Sequence, residues 1–188
     1  MCNPVSWFYV VSAGVGTLYI SEKTDSHTEI AKEFGIRDTG IGSVCAGEFR
    51  PNQSTPSADM STWELIWDYA GHSRKPDWMD VEMESSLRRQ LEQRCKRYVF
   101  TDGSHESDSC RAFVFGKAAF TARGSCNVTA YGSSAVKACD SSTVTAYGSS
   151  AVKACDSSTV KACDSSTVTV YGSSTVTAYG SGVLAEIE

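Results

Sequence analysis

Beyond Arg111 the chain has no tryptophan, methionine, proline or histidine, and Phe120 is its last phenylalanine. Such a segment cannot fill a conventional layered core, so its interior must be thin enough for valine and alanine. Basic charge is also scarce. There are 22 acidic and 17 basic side chains, and residues 1–111 hold 17 and 12 of them, so the net charge of -5 resides wholly in that first part. A mildly acidic domain lacks the clustered Lys and Arg that release counterions from a phosphate backbone, which argues against direct nucleic-acid binding. The first 20 residues contain no Lys or Arg, and Asn3, Pro4, Ser6, Ser12 and a glycine-rich turn interrupt their apolar residues. They read as neither a signal peptide nor a membrane span, so the expected location is cytoplasmic, with no membrane partner. In a reducing compartment the eight cysteines are expected as thiols, and the Asn127-Val128-Thr129 sequon as coincidental.

What the second part does have is an eight-residue word, V-(T/K)-A-(Y/C)-(G/D)-S-S-(T/A), whose copy VKACDSST begins at Val136, Val152 and Val160. Aligning Gly116 and Gly124 with the Gly/Asp column extends the octads back to Ala112, giving nine from Ala112 to Val183. Within an octad the period is two, which sends Val and Ala at the first and third places inward and the second and fourth places outward. Gly or Asp with Ser-Ser then turns the chain. Two octads make a 16-residue coil with a strand on each side, so the array predicts a short parallel β-solenoid of four to five coils, about 20 Å tall. Alternation stacks Tyr131 on Tyr147, Lys137 on Lys153 and Cys139 on Cys155. The doubled VKACDSST then moves Lys161 and Cys163 to the tyrosine side and Tyr171 to the cysteine side. Side chains Tyr131, Tyr147, Tyr171, Tyr179, Thr145 and Thr177 are the candidates for a solenoid face on which a homodimer forms.

This repeat resembles the 16-residue repeat of bacterial ice-nucleation proteins, and it is similar to the S-S-T-V-T-A-Y-G tails of small phage and prophage proteins. The resemblance covers residues 112–183. The ice family implies broad Thr-x-Thr arrays, present here as Thr143–Thr145, Thr167–Thr169 and Thr175–Thr177 but broken by Lys137, Lys153 and Lys161. The phage likeness implies an intracellular viral role, such as blocking a host defence complex of the CRISPR-Cas kind.

Residues 1–111 read as a small α+β domain. Val5–Val11 and Thr17–Ile20 form a hairpin, and Ser43–Arg50 a third strand. Ser26 and Glu29 make a capping box for a helix from Thr28 to Phe34, which Gly35 ends. Ser61 and Glu64 make a second box, opening a helix to about Ala70 that carries Trp63 and Trp67. Asp77 caps a helix over roughly Trp78–Arg97, with Met79, Met83, Leu87, Leu91 and Cys95 on one stripe. Thr101–Ser109 reads as an exposed linker, and Leu184–Glu188 as a charged cap that ends the array.

No constellation points to catalysis. Asp25-Ser26-His27 holds the residue types of a hydrolase triad, but adjacent residues point apart, and capping accounts for Ser26. An enzymatic reading centres on Ser26, His27 and Asp38. Asp38-Thr39-Gly40-Ile41-Gly42 matches an ATPase loop without its upstream helix, and His72 and His105 lack ligand-spaced neighbours, so no metal or cofactor is expected. The leading expectation is a non-enzymatic interaction protein whose first domain binds a macromolecular partner, expected to be a protein, with Trp63, Trp67, Trp78, Arg88 and Arg89 as partner-binding candidates. Ice or surface templating is the alternative reading.

Overall fold

The computed structural model describes residues 5–37, 44–68, 73–108, 110–180 and, as backbone, 184–187. The chain divides after Lys96 into two compact units.

In the first unit, β1 (Val5–Ser12) and β2 (Val15–Tyr19) form the expected hairpin, closed by Ala13 and Gly14, both at positive φ. That two-residue turn matches the twist of the strands. Helix α1 (His27–Phe34) follows and ends at Gly35, in the left-handed region at φ 65. Strands β3 (Val44–Arg50) and β4 (Glu64–Asp68) complete an antiparallel sheet of order β2-β1-β3-β4, and α2 (Val81–Cys95) closes the unit. Alternation along β1 buries Val5, Trp7 and Tyr9 on one face, while Phe8 on the other meets His27 of α1 at 5.4 Å. Trp7, Gly47 and Trp67 lie opposite one another across three strands. The two indoles meet edge to face at 5.5 Å, and a Cβ on Gly47 would fall on the Trp7 ring and the Ile66 carbonyl. Glycine is required there by close approach rather than by a turn.

Three local expectations need correcting. Residues 64–68 are a strand, not a helix: the Asp59 carboxylate accepts from Ser61 N–H and holds Met60–Thr62 as one 3-10 turn, after which the chain pairs with β3. The long helix starts at Val81, because Asp80, not Asp77, accepts the Met83 N–H at 2.7 Å. Met79 N–H is instead used in a turn onto the Pro76 carbonyl. Ser26 holds the N-cap position with extended backbone, but its hydroxyl makes no capping bond. Of the expected stripe, Leu87, Leu91 and Cys95 are buried on the helix and Met83 is half-buried, while Met79 is buried in the turn before it.

The second unit is a parallel β-solenoid of about five turns. One sheet consists of β5 (Val99–Phe100), β7 (Arg111–Val114), β9 (Asn127–Ala130), β11 (Thr143–Ala146), β13 (Thr159–Cys163) and β15 (Thr175–Tyr179). The other consists of β6 (Ser104–Asp108), β8 (Ala119–Arg123), β10 (Ala135–Ala138), β12 (Ala151–Ala154), β14 (Thr167–Val170) and β16 (Leu184–Ile187). We call these the odd and even sheets. The solenoid therefore begins before Ala112, and 104–108, expected as a linker, is a strand paired with β8. The signal was weak because the sheet partners there are 15 residues apart rather than 16, which puts His105 in a Val column.

The interior is as the octad dictates. Val128, Ala130, Val144, Ala146, Val160 and Ala162 have no exposed surface. The seventh-place serines Ser134, Ser142, Ser150, Ser158 and Ser166 are also wholly buried. Ser142, Ser150 and Ser166 each donate to the carbonyl three residues back at 2.7 Å, which satisfies the hydroxyl inside the coil. The fifth place always has positive φ, at Gly116, Gly124, Gly132, Gly148, Gly172 and Gly180 and also at Asp140, Asp156 and Asp164. Each of these Asp carboxylates offsets its strain by accepting an N–H one coil back: Gly124 at 2.8 Å, Asp140 at 3.2 Å and Gly148 at 3.0 Å.

Candidate functional site

The five partner-binding candidates of the first unit divide sharply. Trp63 is buried, donates its indole N–H to the Ser57 carbonyl at 2.8 Å and packs on Phe49 at 5.1 Å. Arg88 donates to the Trp63 carbonyl at 3.1 Å and lies over the Phe49 ring. These two hold α2 onto the sheet. Trp67 is half-buried against Trp7, and Trp78 is half-buried as well. Arg89 alone is exposed, its Nε donating to Ser85 O at 3.4 Å.

The exposed apolar surface lies elsewhere in the unit. Val15 at the hairpin tip is 65% exposed and Val81 at the start of α2 is 75% exposed. A cleft of about 420 Å³ runs between the two elements, lined by Tyr9, Val11, Val15, Asp80, Glu82 and Met83. Val11, Val15 and Met83 contribute apolar lining, and Asp80 and Glu82 place carboxylates on its helical side. Sequence reasoning missed this patch because it took Val81 for an ordinary helix position and Asp80 for part of the helix rather than its cap.

His27 stands in a second cleft, of about 660 Å³, with Phe8, Lys32, Arg37, Cys45 and Asp68 around it. Its Nε2 donates to the Gly47 carbonyl at 3.1 Å, since a carbonyl only accepts, and Nδ1 faces Asp68 at 3.7 Å. The ring thus ties α1 to β3 and β4, and neither nitrogen is directed at the neighbouring Ser26. Burial pushes the nearby Cys45 thiol up to about 12, so it stays protonated. Asp38 and the rest of its glycine-rich loop, like His72, lie outside the described residues. Among the described residues no group of three His, Cys, Asp or Glu could hold a metal, and no helix is long and apolar enough to cross a membrane.

On the solenoid the register follows the octads copy by copy. Lys137 pairs with Lys153 in the even sheet, and Lys161 sits between Thr145 and Thr177 in the odd one. Tyr131 stacks between Phe115, at 4.8 Å, and Tyr147, at 5.5 Å. Cys163 pairs with Tyr179, whereas Thr169 lies beside Lys153 on the opposite sheet. Accessibility is another matter. Tyr131 and Thr145 are buried, Tyr147 and Tyr171 are half-buried, and Thr177 and Tyr179 are exposed. His105, at the first coil, is half-buried, meets the Phe100 ring at a tilt at 4.6 Å and contacts the Asp102 carbonyl at 2.7 Å.

These features define the class: a β-solenoid repeat protein that also carries a small α+β unit. Comparison with family models, curated proteins and solved structures returns no match. The likeness to ice-nucleation and phage repeats accordingly rests on the octad alone.

Proposed function

We propose that the protein is a non-enzymatic binding protein, with the α+β unit contacting a macromolecular partner and the solenoid serving as a rigid scaffold. The carrying observation is the cleft where exposed Val15 meets the Asp80 and Glu82 carboxylates, with exposed Val81 between those two acids in sequence. Exposed apolar side chains bordered by charge of one sign suit a protein partner that presents a hydrophobic contact within a basic surface. Both His27 nitrogens face structural acceptors, which supports a positioning role for that ring rather than proton transfer. The phage-type repeat extends the proposal to an inhibitor of a host defence complex, a cytoplasmic role in which an acidic surface competes for a basic groove. The exposed Thr177 and Tyr179 at the later coils are the places left for self-association through the odd sheet.

The test is capture from host lysate with the full chain as bait, alongside a Val15→Glu, Val81→Glu double variant and light-scattering mass of each. The expected result is a stoichiometric protein partner for the native chain and at least a tenfold weaker complex for the variant, with circular dichroism unchanged. Equal capture by both, or capture by neither, removes the reading.

A further inference from the structure

Among the described residues, one cysteine pair has its sulfurs in contact. Cys110 and Cys126 face each other across the first full coils, in the seventh place that serine holds in later octads. Their sulfurs are 3.2 Å apart. Cys110 N–H donates to Cys126 Sγ at 3.2 Å, and the Cys126 thiol reaches the Ser107 carbonyl at 3.2 Å. Cys126 is 1% exposed and Cys110 is half-buried, so one sulfur is anchored and the other is open to a small solute. Coils stacked about 4.8 Å apart fall within the roughly 4.4–6.8 Å Cα window of a disulfide. At the fourth place Cys139 and Cys155, each just after its strand, are a second pair one coil apart and serve as the internal comparison.

We propose that Cys110 and Cys126 are a two-electron thiol–disulfide couple, a modification site whose co-substrate is a hydroperoxide. The bond between the sulfurs draws Cys126 below the ordinary thiol range and pushes Cys110 above it, because the pair shares one proton. Cys126 therefore ionises first; the remaining proton exchanges across the 3.2 Å contact, and the accessible Cys110 reacts as thiolate from the minor form in which Cys126 holds that proton and donates it to the Ser107 carbonyl. That thiolate attacks a peroxide oxygen; the O–O bond breaks, Cys110 becomes a sulfenic acid, and the departing hydroxide takes a proton from solvent to leave as water. Cys126 sulfur then attacks the Cys110 sulfur, the S–O bond breaks, and the Cys126 proton leaves with the hydroxide as a second water. In sum, two thiols and one hydrogen peroxide give one disulfide and two waters. The product staples two successive coils at the start of the array.

The experiment treats the reduced full chain with one equivalent of hydrogen peroxide, alkylates the remaining thiols and maps the peptides by mass. A Cys110–Cys126 cross-linked peptide lighter by two hydrogens, and restored by dithiothreitol, is the expected result. The thermal midpoint rises on oxidation and falls back on reduction. Cys110→Ser and Cys126→Ser lose both responses, and they retain the fold because serine occupies that place in Ser134 through Ser166. A first cross-link at Cys139–Cys155 or between chains overturns the assignment. So does sulfinic acid at Cys110 with Cys126 still alkylated, or no oxidation at one equivalent. Because the map is read on the native chain without any partner, its outcome is independent of the binding proposal.

Discussion

At the residue scale the solenoid and the α+β unit solve opposite problems. In each octad one fifth-place residue must take positive φ, and the sequence shows which residues do so; it does not show that Asp140, Asp156 and Asp164 offset the strain through hydrogen bonds to the previous coil. That bond joins residues 16 apart and leaves no mark on local composition. In the α+β unit the decisive residues are set by close approach, as with Gly47 under Trp7 and Trp67. Cys45, two positions before Gly47 on β3, is 2% exposed and carries a pH signature. Its thiol ionises near 9.0 when unfolded and only near 12 when folded. Between those values the unfolded state has released a proton that the folded state still binds, so stability falls as pH rises. The contribution is complete below pH 9 and is lost as pH climbs toward 12. Urea unfolding of the native chain and Cys45→Ala across that range is expected to show the stability gap between them narrowing with pH. A constant gap would show that burial does not control this thiol.

At the element scale, legibility depended on how many signals agreed. The hairpin, α1, β3 and the buried stripe of α2 each combine periodicity with a turn or glycine stop, and each is present. The segment 61–70 failed because Ser61 and Glu64 satisfy a capping pattern while Asp59 makes the bond that matters. Trp63 and Trp67 share a side in either conformation, since positions i and i+4 coincide on a helix and on a strand, so their spacing had no power to decide. Asp77 and Asp80 posed the same ambiguity one turn apart, and only the Met83 contact resolves it. Replacing Asp80 by Ala is expected to lower stability by about 1 kcal/mol, the usual worth of a helix cap, and Asp77→Ala by a few tenths. Chemical denaturation of both variants checks this, and equal losses would return the cap to Asp77. The candidate site was the least legible element of all, because Val15 belongs to the hairpin and Asp80, Glu82 and Met83 to the start of α2, and only folding brings them to one cleft.

At the scale of the whole molecule, the solenoid was legible almost completely because its long-range contacts repeat at a fixed separation, whereas those of the α+β unit each occur once. Strand partners from β7 onward are 16 residues apart as far as β13 and β15. Stability in such an array is a sum of coil and neighbour terms. Removing Ala151–Ser166, one full coil, is therefore expected to leave a folded solenoid with an unchanged β-type circular dichroism spectrum per residue and a modestly lower thermal midpoint. Removing Ala151–Ala162 carries turn residues into valine places and is expected to lose cooperative unfolding in the coils that follow. Comparable melting of the two deletions would refute a register-locked array.

The doubled VKACDSST shows what this tolerance permits. Adding one octad leaves Val and Ala in the interior columns, yet it exchanges the sheets to which every later outward side chain belongs, sending Lys161 beside Thr145 and Thr169 beside Lys153. A duplication of 24 nucleotides in the coding sequence is thus silent to folding and loud on the surface. One inserted octad redraws both faces of the solenoid at once while every interior column keeps its residue type.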